Sequence, residues 1–308
     1  MVSSILALLR DKPVLTAVLG ALTIAFSAIF VRLADVSPAT AAVFRCAYAL
    51  PALGLLAWYE QRRYGPRAAG QSRLAWIAGA FFAADLVLWH HAIEEVGAGL
   101  ATVLGNTQVV IVPIAAWLFL KERPGGRVAA SVPLVLTGVV LISGVLGAGA
   151  YGRDPVLGVL FGLGTGVAYA GFLLVQRRAN ADHRRPAGPL FDATLSAAFM
   201  SLLIGLAFGD LNLVPSWPAH GWLLLLALSV QVLGWLLISI SLPRLPAAVT
   251  SVVLTIQPVG SVLLGIWILS EAPSPFQLVG VLFIIAGLLL TTLRVRPEWF
   301  GRAQPEVG

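Results

Sequence analysis

Charge is what this chain has least of: Asp, Glu, Lys and Arg together make up 11% of its 308 residues, where a soluble domain carries roughly 25%. With 58% of positions hydrophobic and a mean hydropathy of +0.90, too little polar side chain remains to cover a water-facing surface. A soluble fold is excluded. Cysteine is as scarce: Cys46 stands alone in an apolar stretch, which rules out a disulfide framework and a thiolate metal site. Four histidines without metal-ligand spacing, and no cluster of nucleophiles and bases, argue against an intramembrane enzyme. No cofactor and no metal are therefore expected. The formal charge of +6 and the isoelectric point near 10.1 would suit a nucleic-acid partner, but the basic residues are dispersed between apolar stretches instead of gathered on a folded basic domain, so none is expected.

What the chain has in abundance is apolar length. Ten runs are long enough to cross about 30 Å of hydrocarbon at 1.5 Å rise per residue. They extend from Pro13 to Val31, Ala39 to Trp58, Leu74 to Ile93, Leu100 to Leu120, Val128 to Val145, Val156 to Val175, Leu190 to Phe208, Trp222 to Leu242, Ala247 to Leu269 and Gln277 to Leu293. The first run follows Arg10, Asp11 and Lys12 and lacks a small-residue cleavage site, so it is read as a retained helix and not a signal peptide. The expected fold is an all-α integral membrane protein with ten transmembrane helices and the lipid bilayer as its surroundings.

Lys and Arg in short loops stay on the cytoplasmic side during insertion. Placing the N-terminus inside puts every basic residue on that side except Arg32 and Arg153, which fall outside, and Arg45, which lies within the second run. An even number of spans with both termini cytoplasmic follows, in a compact chain read as a bacterial inner-membrane protein.

The two halves of the chain repeat one another. Sliding Ala98 to Leu141 against Ala247 to Leu290 aligns Gln108 with Gln257, Glu122 with Glu271, Pro124 with Pro273 and Gly138 with Gly287. A related register pairs Trp76 with Trp222, Asp85 with Gln231 and Trp89 with Trp235, and another pairs Ala25 with Ala170 and Arg32 with Arg177. The units are residues 13–147 and 154–294. Each holds five spans, an odd number, so the second copy enters the membrane upside down. Inverted repeats of this kind place the substrate near the midplane between the halves, with access alternating as the halves rock.

The segment Phe26-Ser27-Ala28-Ile29-Phe30, then Ser37-Pro38 and Phe44-Arg45, and in the second half Gln257-Pro258, Glu271, Gly280 and Gly287, resemble the drug/metabolite transporter superfamily in its EamA-type branch. The resemblance covers nearly the whole chain. It departs at Phe26-Ser27, where the family has Trp-Gly, and at Val109, which fills a proline slot and leaves the kink of the fourth helix to Pro113. It implies ten helices in two EamA repeats around a central cavity walled by helices 1, 3, 4, 6, 8 and 9, with helices 5 and 10 peripheral.

Polar groups within the spans mark the candidate site. Gln108 lies about eleven residues into the fourth run and Gln257 about ten into the ninth, both near mid-depth, with Asn106, Thr102, Ser251 and Thr255 close in sequence. These amides suit a carboxylate or an amine, or serve only as interhelical hydrogen bonds. Asp85, the one acid at mid-helix depth, could carry a proton, bind a substrate ammonium or pair with Arg45. Trp89 and Trp235 stand four residues beyond Asp85 and Gln231 on the same helical faces and, with Tyr169, could wall an apolar or cationic group. His90 and His91 lie towards the outer end of the third run, as gating or relay candidates. Glu122 and Glu271 read as helix-end capping groups. The function expected is secondary transport of small organic metabolites by alternating access, most simply export of aromatic or hydrophobic amino acids. Quaternary amines, drug-like cations and nucleotide-type conjugates are the alternative cargo, and a channel or a membrane protein without transport is the alternative class. Two repeats in one chain can complete a pathway as a monomer.

Overall fold

The computed structural model describes residues 11–120, 126–142, 152–245, 250, 253, 254 and 256–292; Glu122, Ser251 and Thr255 lie outside them. Among the described residues all regular structure is helical. In chain order the elements are α1 (Pro13–Ala34), α2 (Pro38–Tyr64), α3 (Ala69–Gly105), α4 (Gln108–Leu120), α5 (Gly126–Ile142), α6 (Pro155–Ala179), α7 (Ala187–Phe208), α8 (Ala219–Arg244), α9 (Ile256–Leu269) and α10 (Pro275–Thr292). Helices dominate because hydrocarbon offers backbone N–H and C=O groups no partner but one another.

By length and composition, six stretches can cross a bilayer: Pro13–Ala34, Pro38–Tyr64, Ala69–Ala115, Pro155–Ala179, Ala187–Phe208 and Ala219–Arg244. The chain is a multi-pass membrane protein. The difference from ten separate runs has an identifiable cause in the third stretch, which is not one rod. Gly97 takes φ 78°, ψ 168°, a backbone state that an L side chain rarely adopts. Beyond it the chain doubles back: on α6, Gly164 meets Leu88 while Gly162 meets Leu104, so both limbs of α3 pass the same depth. Two expected runs are thus joined through a single glycine. The described stretches of α5, α9 and α10 are shorter.

Small residues set the packing. Gly20 and Gly234 let α1 and α8 touch, Gly99 brings α3 onto Val262 of α9, and Gly138 and Gly287 bring α5 and α10 together. Gly138 lies against Gly280 and Ile284 while Gly287 lies against Ser131 and Val135, so α5 and α10 run antiparallel. The same holds for α2 and α7, where Ala39 meets Gly205 and Gly54 meets Phe191.

Carboxylates close the ends of these pairs. At one end Glu60 of α2 accepts from the first two amides of α7, Ala187 N at 3.0 Å and Gly188 N at 2.8 Å. At the other, Asp210, just past α7, accepts from Ala39 N of α2 at 3.3 Å, and its carbonyl accepts from Ser37 Oγ. Each helix therefore caps the N-terminus of the other. Glu271 likewise accepts from Ala98 N at 2.7 Å and Gly99 N at 3.3 Å, the first amides after the Gly97 turn. Charge-assisted caps of this kind contribute about 1 kcal/mol each. At the Glu60 end, Arg185 donates to Tyr64 O and Gly65 O, both at 2.7 Å, and pairs with Asp182 at 2.9 Å. The hydrogen bond from Arg184 holds the Asp182 carboxyl below its ordinary range.

A Cβ at Gly79 would overlap the Ala193 carbonyl oxygen and Ser196 of α7, whereas one at Gly70 meets nothing within 4 Å. Gly79→Val is expected to destabilise the fold by about 3 kcal/mol or more, the upper end for overpacking against backbone. Thermal unfolding in detergent, followed by tryptophan fluorescence, should show a clear drop for Gly79→Val and none for Gly70→Ala.

Candidate functional site

Helices α1, α2, α3, α6, α8 and α9 enclose a cavity of about 450 Å³, part of it open to solvent. Asp85 and Trp89 project into it from the first limb of α3, and Asn106 from just beyond the second. Arg45 reaches it from α2, Tyr169 from α6, Trp235 from α8 and Gln257 from α9. Phe82, Thr102, Thr165 and Ser27 complete its polar and aromatic lining.

The floor, on the side of the Glu60 cap, is aromatic. Phe82 stacks on Phe172 with centroids 4.5 Å apart, and Trp235 meets Phe82 and Phe172 edge-on at 5.3 Å and 5.0 Å. Tyr169 stands edge-on to Trp235 at 6.0 Å, and its hydroxyl accepts from Gln257 Nε2 at 3.4 Å. Phe82 and Phe172 are almost wholly buried, so this cluster seals one side of the cavity. Trp89, two turns away on α3, covers the other.

Between floor and roof lie two opposite charges. Arg45 is 2% exposed and Asp85 8%. They share the cavity, yet no ion pair within 4.0 Å joins them, and Asp85 makes no hydrogen bond among the described residues. Arg45 Nε also has no protein partner, nor have Asn106 Oδ1, Thr165 Oγ1 and Trp235 Nε1 around the same space. Each neutral group left so costs roughly 1–3 kcal/mol, and an unpaired buried charge costs more. Converging on one cavity, they give it a polar lining that carries both signs of charge.

Gln108 and Gln231 do not join this lining. The Gly105-Asn106-Thr107 break explains Gln108. Thr107 Oγ1 bonds Leu104 O at 2.7 Å and Asn106 Nδ2 bonds Thr102 O at 2.9 Å, which ends α3 and turns Asn106 to the cavity. Gln108 begins α4 against Gly166 of α6, fully buried, with neither amide atom partnered. The break is made without proline, ahead of both Val109 and Pro113. For Gln231 the cause is a π-helical stretch, Leu226–Gly234. Turns closed at i+5 instead of i+4 rotate Gln231 away from the face of Trp235, and its amide donates to Thr194 of α7 at 3.2 Å.

His90 is buried beside Trp89, and its Nδ1 lies 3.1 Å from Pro38 O. His91 stacks on Phe161 at 5.1 Å, away from the cavity. Phe82 and Phe172 are the members that sequence reading passed over. Their signal was helical spacing alone, with Phe82 one turn before Asp85.

An arginine that served only to hold the fold would be missed when replaced by an apolar chain. Arg45 has no ion-pair partner among the described residues, so replacing both buried charges by apolar chains, Arg45→Met with Asp85→Leu, is expected to leave the unfolding temperature in detergent unchanged or raise it by a few degrees. A fall of similar size would assign the two charges a structural role.

The family model described as the EamA-like transporter family matches residues 11–144 and 156–293. The threonine/homoserine exporter RhtA of Escherichia coli (strain K12) is 29% identical over 264 residues, covering 81% of each chain. The uncharacterized transporter YwfM of Bacillus subtilis (strain 168) is 24% identical over 226 residues, 73% of this chain and 75% of its own. A crystal structure of a protein with 18% identity superposes with a TM-score of 0.63 over 92% of this chain and 97% of that one, a likeness of fold.

Proposed function

Since the chain belongs to the EamA-like transporter family, and so moves small molecules across a bilayer instead of transforming them, we propose that it exports neutral α-amino acids by alternating access. One observation carries the reading: Arg45 and Asp85 face one cavity without pairing with each other. A zwitterion supplies both missing partners at once. Its carboxylate takes Arg45, its ammonium takes Asp85, and its side chain lies among Trp89, Trp235 and Tyr169, with Asn106, Thr102 and Gln257 offering hydrogen bonds. The likeness to threonine/homoserine exporters favours short hydroxylated side chains, which need this mixture of amide, hydroxyl and ring. Quaternary amines would leave Arg45 unpartnered, and nucleotide conjugates would bring several phosphate charges beside the Asp85 carboxylate.

The carrier works as a ten-span, two-repeat monomer of units 13–147 and 154–294, with both termini cytoplasmic in a bacterial inner membrane. The matching of one family model to two successive segments supports the repeat, and the antiparallel course of α2 with α7 and of α5 with α10 supports its inversion. The aromatic floor then faces the cytoplasm and Trp89 faces out.

Counterflow in proteoliposomes tests this directly. Wild-type protein loaded with unlabelled threonine should accumulate labelled threonine saturably, and homoserine should compete. Asp85→Asn should lower the rate at least a hundredfold, the equivalent of about 2.7 kcal/mol. Flux without counterflow would point to a channel, and exchange of choline but of no amino acid would replace the proposed cargo.

A further inference from the structure

A second cavity lies at the end of α1 away from Pro13, between α1, α2 and α3, three of the six helices that wall the first. It holds about 300 Å³, part of it open to solvent, and Arg32, Asp35, Pro38, His90 and Glu94 line it. The helical register makes it a continuation of the first. On α1, Ser27 faces the central cavity and Val31, one turn on, faces this one; on α3 the step is from Trp89 to Ile93; on α2 it runs from Arg45 back to Pro38, about 10 Å along the helix. Trp89 and His90, with ring centroids 5.2 Å apart, stand at the partition.

Its charged rim, unlike the central charges, is exposed to solvent, and of its titratable groups only His90, beneath the rim, is buried. Arg32 and Asp35 make no ion pair and no side-chain hydrogen bond among the described residues, and Glu94 has only a 3.9 Å contact with His91. Beneath them His90 is 1% exposed; its Nδ1 is held at Pro38 O and its Nε2 has no protein partner. A buried imidazole nitrogen without a partner, under a rim carrying one guanidinium and two carboxylates, is a built site for a small molecule of both charges.

We propose that this vestibule is a second binding site for the same zwitterion, a station between the central cavity and the outer solution. The proposal rests on the amino-acid reading of the central cavity. Arg32 takes the carboxylate, Asp35 and Glu94 take the ammonium, His90 Nε2 hydrogen-bonds the bound molecule from below, and the Trp89–His90 step separates the two stations.

The test is the stoichiometry of tritiated threonine bound at saturation to the full-length protein in lipid nanodiscs. Wild type should bind two per chain, Asp85→Asn one, and the double variant Arg32→Gln/Glu94→Gln one. His90→Asn keeps a donor at the Nδ1 position for Pro38 O but removes Nε2, and should weaken the remaining threonine in the Asp85→Asn background roughly tenfold. One threonine per wild-type chain, lost in Asp85→Asn and unchanged in the double variant, would overturn the outer site while leaving the central one standing. No binding of threonine or homoserine by wild type would overturn both.

Discussion

A guanidinium and a carboxylate that share a buried cavity without touching each other constrain everything around them. Taking either charge out of water costs several kcal/mol, and their mutual attraction would recover most of that if they paired. Arg45 and Asp85 forgo it. They are held apart because they sit on α2 and α3, whose positions other contacts fix: the Glu60 and Asp210 caps tie α2 to α7, and Gly79 seats α3 against α7. The frame keeps the charges separated, and that separation is the space the proposed zwitterion would fill.

The frame itself is made of antiparallel pairs in close contact at glycine, with carboxylates at their ends. Packing through small residues lets the helix backbones approach closely, while the end caps keep each pair in register. On one side of the cavity the Phe82–Phe172–Trp235 cluster is dense and buried; on the other the Trp89–His90 step separates it from the second cavity. A thin barrier on one side and a thick one on the other is the asymmetry that alternating access requires of any single state.

Much of this was legible in the sequence, and the exceptions have local causes. Apolar run length located α1, α2, α6, α7 and α8 to within a few residues, because twenty consecutive apolar positions admit few other readings. The end-capping reading of Glu271 was legible too, though not which helix it caps, since that depends on the Gly97 turn. Depth picked out Asp85, helical spacing Trp89, and nearness to these and to Gln108 added Tyr169 and Asn106, all four of which line the cavity; helical spacing failed where the helix was not α. No composition marks the π-helical stretch that turns Gln231 to Thr194, and the break that diverts Gln108 arises from Gly105-Asn106-Thr107 where proline was sought. Phe82 and Phe172 were invisible because an aromatic residue in a greasy helix carries no polar signal.

The central claim is that Arg45 and Asp85 read the two ends of one zwitterion. It is tested most directly by competition against labelled threonine counterflow with threonine, its decarboxylated analogue 1-aminopropan-2-ol and its deaminated analogue 3-hydroxybutyrate, on wild type, Arg45→Gln and Asp85→Asn. In wild type both analogues should compete at least a hundredfold more weakly than threonine. Arg45→Gln should erase the preference for threonine over the amine and keep it over the acid, and Asp85→Asn should do the reverse. If both variants transport more slowly while keeping wild-type discrimination between the analogues, the two residues do not contact the substrate and the account is contradicted.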